Sequence, residues 1–279
     1  MNDVALKQAP VRASTPATPT ARQALRHAVT AWFALACLGH LIFVAYILAV
    51  FYPPIAAHGA DGLAGLHLPN GFREGDLLGN LAAASHVLIA VAVIGGGPLQ
   101  LLPALRTRYP AFHRILGRGY VFAAVLSATA GLYMVWTRGT VGGLIGHVAI
   151  SGDGILILVF SALTVYHAIG RRIATHRRWA MRLFMVASAV WFFRVGFMGW
   201  VTLTGGIGID FATFSGPALS CIFFAQYLLP LLMLEWYFRV QNRASAAEQW
   251  MFTGILSALS VYMAVGIFAA TTGMWIPRI

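Results

Sequence analysis

Carboxylates are scarce in this chain. Its 279 residues hold 8 Asp and Glu against 19 Lys and Arg, and only 10% of the sequence is charged. A soluble domain is about a quarter charged, so a water-facing surface of ordinary extent is excluded. Two cysteines, Cys37 and Cys221, both inside apolar runs, exclude a disulfide framework and read as small buried hydrophobes. No P-loop, dinucleotide fingerprint, His-Glu-x-x-His pair or serine-nucleophile motif is present. Low hydrophobicity, the mark of a disordered chain, is missing too, because 59% of the residues are apolar. The net charge of +11 does not point to nucleic acid, since nucleic-acid binders display their cations on a solvated face. What remains is a protein that crosses a bilayer several times.

Spanning the roughly 30 Å of hydrocarbon takes about 20 apolar residues at about 1.5 Å each. Seven stretches qualify, at 28–51, 77–102, 112–136, 143–169, 179–203, 217–238 and 250–275. They are too long for barrel strands and do not alternate. The expected fold is therefore all-α, an integral membrane bundle of seven transmembrane helices. Residues 1–27, with Pro10, Pro16 and Pro19, are expected to be a disordered leader, residues 28–275 a single transmembrane domain, and 77–203 its four-helix core. The first apolar run is too late and too long for a cleaved signal and reads as an anchor.

Cations settle the expected orientation. The leader carries Lys7, Arg12, Arg22 and Arg26, and the second-to-third connection Arg106, Arg108, Arg114 and Arg118. The fourth-to-fifth carries Arg171, Arg172, Arg177, Arg178 and Arg182, and the sixth-to-seventh Arg239 and Arg243. The other side has only Arg73, Arg138 and Arg278, with Asp61, Glu74, Asp76 and Asp210. The positive-inside rule then puts the N-terminus in the cytoplasm and the C-terminus outside. Trp136, Trp179, Trp200, Trp236, Trp250 and Trp275 fall near span ends, as interfacial anchors do.

Charges at membrane depth cost several kcal/mol unless paired or hydrated, so they are candidate functional groups. Arg194 and Asp153 both fall in the outer half of the expected bundle, and an Arg194–Asp153 pair is the simplest way to satisfy them. Glu235 and Arg239, four apart, suggest a local helical ion pair. His58, Asp61, His67, Glu74 and Asp76 share an outer loop whose spacing matches no compact metal motif. Gly95-Gly96-Gly97-Pro98 reads as a kink or a close helix contact.

Six of nine histidines lie in or at the ends of spans. His40 sits alone on the first and reads as a core histidine bonded to a neighbouring helix. Spans two to five form two similar hairpins, with His86 and His147 near the outer ends of their first helices. Each hairpin re-enters on a His-Arg dipeptide, His113-Arg114 and His176-Arg177; the corresponding histidines are 61 and 63 residues apart. Facing histidines on neighbouring helices can ligate a b-type haem iron, and two tiers, His86/His147 and His113/His176, would carry an electron across the bilayer. This layout resembles the two-haem transmembrane cytochrome b family that includes ascorbate-dependent reductases, which takes ligands from four successive helices. Hydrogen bonding between helices and contact with lipid phosphate are the competing readings, and His167 is a competing inner ligand.

A second resemblance rests on Gly97-Pro98-Leu99-Gln100, the basic turn, His113-Arg114 with Gly117-Arg118 and Tyr120, His176-Arg177 with Trp179 and Arg182, and finally Arg194. Over about 77–200 these residues resemble the bacterial membrane family catalogued as domain of unknown function number 2306. The resemblance implies a polytopic helical protein of a bacterial inner membrane and no activity. Of the candidates, it includes His86, His113, His176 and Arg194 among its recurrent polar positions, but not His147. Four functions therefore stand open. One is electron transfer through haem b, with Arg194 pairing a propionate or a quinone oxygen and a redox partner beyond the bilayer. The others are a non-enzymatic assembly or sensing protein, a small transporter using Asp153, Arg194 and His86, and an enzyme acting on a lipid-borne substrate.

Overall fold

The computed structural model describes residues 19–66, 72–243 and 245–279. Among these residues there are nine α-helices and no strand: α1 (Pro19–His58), α2 (Leu77–Leu101), α3 (Pro103–Arg108), α4 (Pro110–Arg138), α5 (Gly143–Ile169), α6 (Ile173–Ala187), α7 (Ala189–Thr204), α8 (Pro217–Arg243) and α9 (Ala246–Ala270). Six are long and apolar enough to cross a membrane, and a seventh crossing is α6 with α7, bent by 50° at their junction. The all-α membrane bundle is thus the fold. The expected unbroken fifth span is instead two helices meeting at Ser188.

α1 begins at Pro19, nine residues before the expected first span, because proline is well placed in a helix's first turn. The rest of the expected leader, and His67, lie outside the described residues.

α1 packs on α2 and α9, α2 on α4, α4 on α5, α5 on α6, and α7 on α8 and α9. Small side chains make these approaches close: Ala83, Ala84, Ala123, Ala124, Ala128 and Ala149 are all buried. Close packing is also what Gly97 provides, since a Cβ there would stand 2.8 Å from the Phe184 ring. Large apolar residues meanwhile stand outside, Leu41, Phe122, Leu232, Val261 and Phe268 each more than half exposed. An apolar exterior of this extent fits lipid and not water.

The cation-rich connections gather at one end. Arg106 lies within electrostatic reach of Arg177, and Arg177 of Tyr237. Ion pairs here run between helices, not along one. Arg182 holds Glu235 through two bonds of 2.6 and 2.9 Å, and Arg239 meets Glu248 at 3.2 Å. The local Glu235–Arg239 pair is therefore not formed; both residues find partners on neighbouring elements.

Candidate functional site

The break between α6 and α7 positions the site. At Ser188 the helix stops and restarts: its N–H donates to Phe184 O, and its own carbonyl accepts from both Trp191 and Phe192. No proline or glycine stands at the junction. His40 of α1, only 1% exposed, crosses to it, with Nε2 at 3.1 Å from Ser188 Oγ and Nδ1 at 2.8 Å from Ala36 O. The imidazole lies between Trp191 and Phe184, at 4.2 and 5.7 Å between ring centres. His40 is thus the hydrogen-bonded core histidine expected, and its partner is the helix break.

Two glycines then hold α7 in place. A Cβ at Gly39 would come within 2.4 Å of the Trp191 ring, and one at Gly266 within 2.2 Å of Val195 O. Tyr262 adds a bond of 2.6 Å to Gly196 O. Arg194 sits between these contacts. It is twelve residues past Arg182 and ten before Thr204, about 18 and 15 Å along the helices, so it lies deep in the bundle.

Arg194 is half-buried there, and among the described residues no carboxylate lies within ion-pair distance. Its guanidinium donates to Val190 O on its own helix at 3.1 Å and stands 5.2 Å from the centre of the Phe43 ring. Tyr46, His86 and Arg278 are within electrostatic reach. Phe43 stacks on Trp275 at 5.1 Å. Trp275 is buried, not an interfacial anchor, and its indole N–H has no acceptor among the described residues. The indole N–H of Trp191, also fully buried, has none there either. This side of α7 is thus rich in donors and positive charge and poor in acceptors.

The expected Arg194–Asp153 pair is not made. Asp153, on α5, lies within electrostatic reach of Tyr227 of α8, and its Oδ1 is buried without a hydrogen-bond partner among the described residues. Arg194 faces α1 and the end of the chain. The two residues serve different interfaces: Asp153 is beside Tyr227 of α8, whereas Arg194 is beside Phe43 and Tyr46 of α1.

The four candidate histidines divide. His86 points into α4, with Nδ1 at 2.9 Å from Ser127 O and 3.2 Å from Ser127 Oγ. His147 stays in its own first turn, Nδ1 at 2.7 Å from Gly143 O, with its ring edge on Trp136. His86 is thus engaged on α4 and His147 on its own turn and Trp136, and α4 packs on both α2 and α5. His113 and His176 do come together at the basic end, within electrostatic reach of each other and beside Arg106 and Arg114. His176 Nδ1 is engaged with Thr164 O at 2.9 Å, whereas His113 Nδ1, like His167 Nδ1, is buried without a partner among the described residues. No group of three or more metal-ligating side chains forms among the described residues, in the outer loop or elsewhere.

One feature at the opposite end of the bundle was not legible in the sequence. Arg138, 4% exposed at the end of α4, donates to Asp76 Oδ2 at 2.8 and 2.7 Å and to Asn80 Oδ1 at 2.6 Å. Arg73 donates to Arg138 O at 2.7 Å, and its backbone exchanges two bonds with the Asn80 amide. Asp76 also caps α2 through Gly79 N. That amide hydrogen bond, then the Arg138 bonds, hold its carboxyl below the usual carboxylate range. The signal available was the small set of charges on the acidic side, of which Arg138 and Asp76 pair.

A family model described as a predicted membrane protein (DUF2306) matches residues 83–238. That stretch runs from α2 into α8 and holds all four candidate histidines and Arg194, reaching further along the chain than the expected core. No curated protein and no solved structure matches the chain significantly.

Proposed function

This chain belongs to the DUF2306 family of predicted membrane proteins, and from that premise we propose that it is a small transporter whose Arg194 binds an anion at membrane depth. One observation carries the reading. A guanidinium in the bundle has no carboxylate among the described residues, and it sits among donors that lack acceptors there. An uncompensated charge at this depth costs several kcal/mol, a cost that a bound anion offsets. Arg194 also follows directly on a broken span, and transporters commonly place binding sites at discontinuous helices near the midplane. In this reading Arg194 binds the anionic group, the indole N–H groups of Trp191 and Trp275 supply neutral donors, and His86 borders the path from α2. The membrane is a bacterial inner membrane with the basic end in the cytoplasm.

Flux of small carboxylates and of phosphate into proteoliposomes tests this. Wild-type protein should conduct at least one of them, and Arg194→Gln should abolish that flux while raising thermal stability. Absence of flux for every anion, with Arg194→Gln lowering stability, would refute transport and favour a structural role for the arginine.

A further inference from the structure

A groove of about 370 Å³ opens at the basic end between α1, α8 and α9, remote from Arg194. Its volume lies within the roughly 300–1,000 Å³ of small-molecule sites. Arg22 and Arg26, one turn apart on α1, line one wall; Tyr237 and Gln241 of α8 and Gln249 of α9 line the other. Among the described residues no carboxylate lines it. Gln249 is only 3% exposed, and its Oε1 has no hydrogen-bond partner among the described residues, whereas Nε2 stands 3.5 Å from Val240 O. Tyr237 already accepts from Gln241 Nε2 at 3.1 Å, which leaves its own O–H to donate. The groove therefore offers two cations on one wall, and a phenol donor with one buried acceptor on the other.

We infer that this groove binds a phosphodiester bearing a hydroxylated head, the chemistry of a phosphatidylglycerol headgroup at the membrane surface. The phosphate accepts from Arg22, Arg26 and Tyr237, and a head hydroxyl donates to Gln249 Oε1. An ammonium head could also donate there, but it would stand beside two guanidiniums with no carboxylate to offset it. Basic pockets between transmembrane helices at this surface are known to select anionic headgroups. Leu25 and Val29 of α1 supply the apolar lining on which the headgroup's glycerol end rests.

Native mass spectrometry of the full chain, released from micelles holding equal phosphatidylglycerol and phosphatidylcholine, tests the assignment. Wild-type protein should retain phosphatidylglycerol selectively. Removing both charges in Arg22→Gln/Arg26→Gln should cut that occupancy about thirty-fold, at about fivefold per arginine. Both side chains are exposed, so the fold survives the change. Gln249→Glu, similar in size, should lower it as well by setting a carboxylate against the phosphate. Equal retention of the two lipids, or unchanged phosphatidylglycerol on the double variant, would overturn the proposal. Displacement by soluble glycerol 3-phosphate at matching concentration would overturn the lipid as the source and leave a soluble phosphate ester as the ligand.

Discussion

The contact of α9 with α7 at Gly266 gives a quantitative test of how Arg194 is held. An alanine Cβ at position 266 would lie 2.2 Å from the backbone oxygen of Val195 and 2.8 Å from its side chain. Ordinary contact begins near 3.4 Å, so α7 and α9 must separate by about 1 Å. The obstacle is backbone, which cannot rotate away as a flexible side chain would. Overpacking of this kind costs about 1–3 kcal/mol. At about 2–4 °C per kcal/mol for a chain of this order, Gly266→Ala should lower the unfolding midpoint by about 2–12 °C. Gly254 is the matched control on the same helix, exposed and with nothing within 4 Å of where an added methyl would stand. Gly254→Ala should be neutral or stabilising by up to about 1 kcal/mol, through helix propensity alone. Thermal unfolding of the two variants in one detergent, followed by intrinsic fluorescence, makes the comparison. If Gly266→Ala melts with Gly254→Ala, the close approach of α7 to α9 is wrong, and so is the placement of Arg194 that depends on it.

Other consequences are equally direct. His40→Ala removes a buried ring and strands the Ser188 hydroxyl, and should cost about 2–4 kcal/mol by thermal unfolding; a cost near zero would show that the break does not need the histidine. Arg194→Gln should instead stabilise, by about 2–3 kcal/mol, because it removes a charge at depth that nothing in the described chain neutralises. A loss of stability would mean that the guanidinium has a protein partner. The Asp76 carboxyl titrates lower folded than unfolded, so the unfolded chain binds more protons in that interval. Its stabilisation is therefore fully present above the ordinary carboxylate value of about 3.9 and is lost as pH falls through the depressed folded value. Asp76→Asn should flatten the melting-versus-pH curve below about pH 4, and an unchanged curve would remove Asp76 from the account.

Hydropathy made the spans legible because lipid imposes a length and a composition on every crossing segment. The break at Ser188 was illegible for a physical reason: the Ala-Ser-Ala junction has neither proline nor glycine, and the partner that meets it, His40, is 148 residues away. Arg194 was recognisable from its charge alone. Its supposed partner Asp153 was not excluded, since depth along two helices says nothing about which faces meet. The same gap applies to His86 and His147. Similar depth does not say which faces meet, and one ring is engaged on α4 while the other stays in its own first turn. His113 and His176 did converge, because each opens the return helix of a hairpin and both hairpins turn at the basic end. The Asp76–Arg138 network escaped notice because its members were read as loop charges and not as caps for α2 and α4.

The 50° bend at Ser188 fixes how any rotation of α7 would be distributed along it. α7 has 16 residues and so is about 24 Å long, with its broken end beside His40 and its far end at Gly205, where a glycine-rich connection begins. A swing of about 10° about the broken end carries the Thr204 end by about 4 Å. Arg194, about 9 Å from the broken end, moves by only about 1.5 Å in the same swing. α6 need not follow, because Arg182 anchors it to Glu235 on the far side of the bend. By that geometry the displacement at the guanidinium is less than half of that at the end of the helix, and the close contact of α7 with α9 beside it limits both.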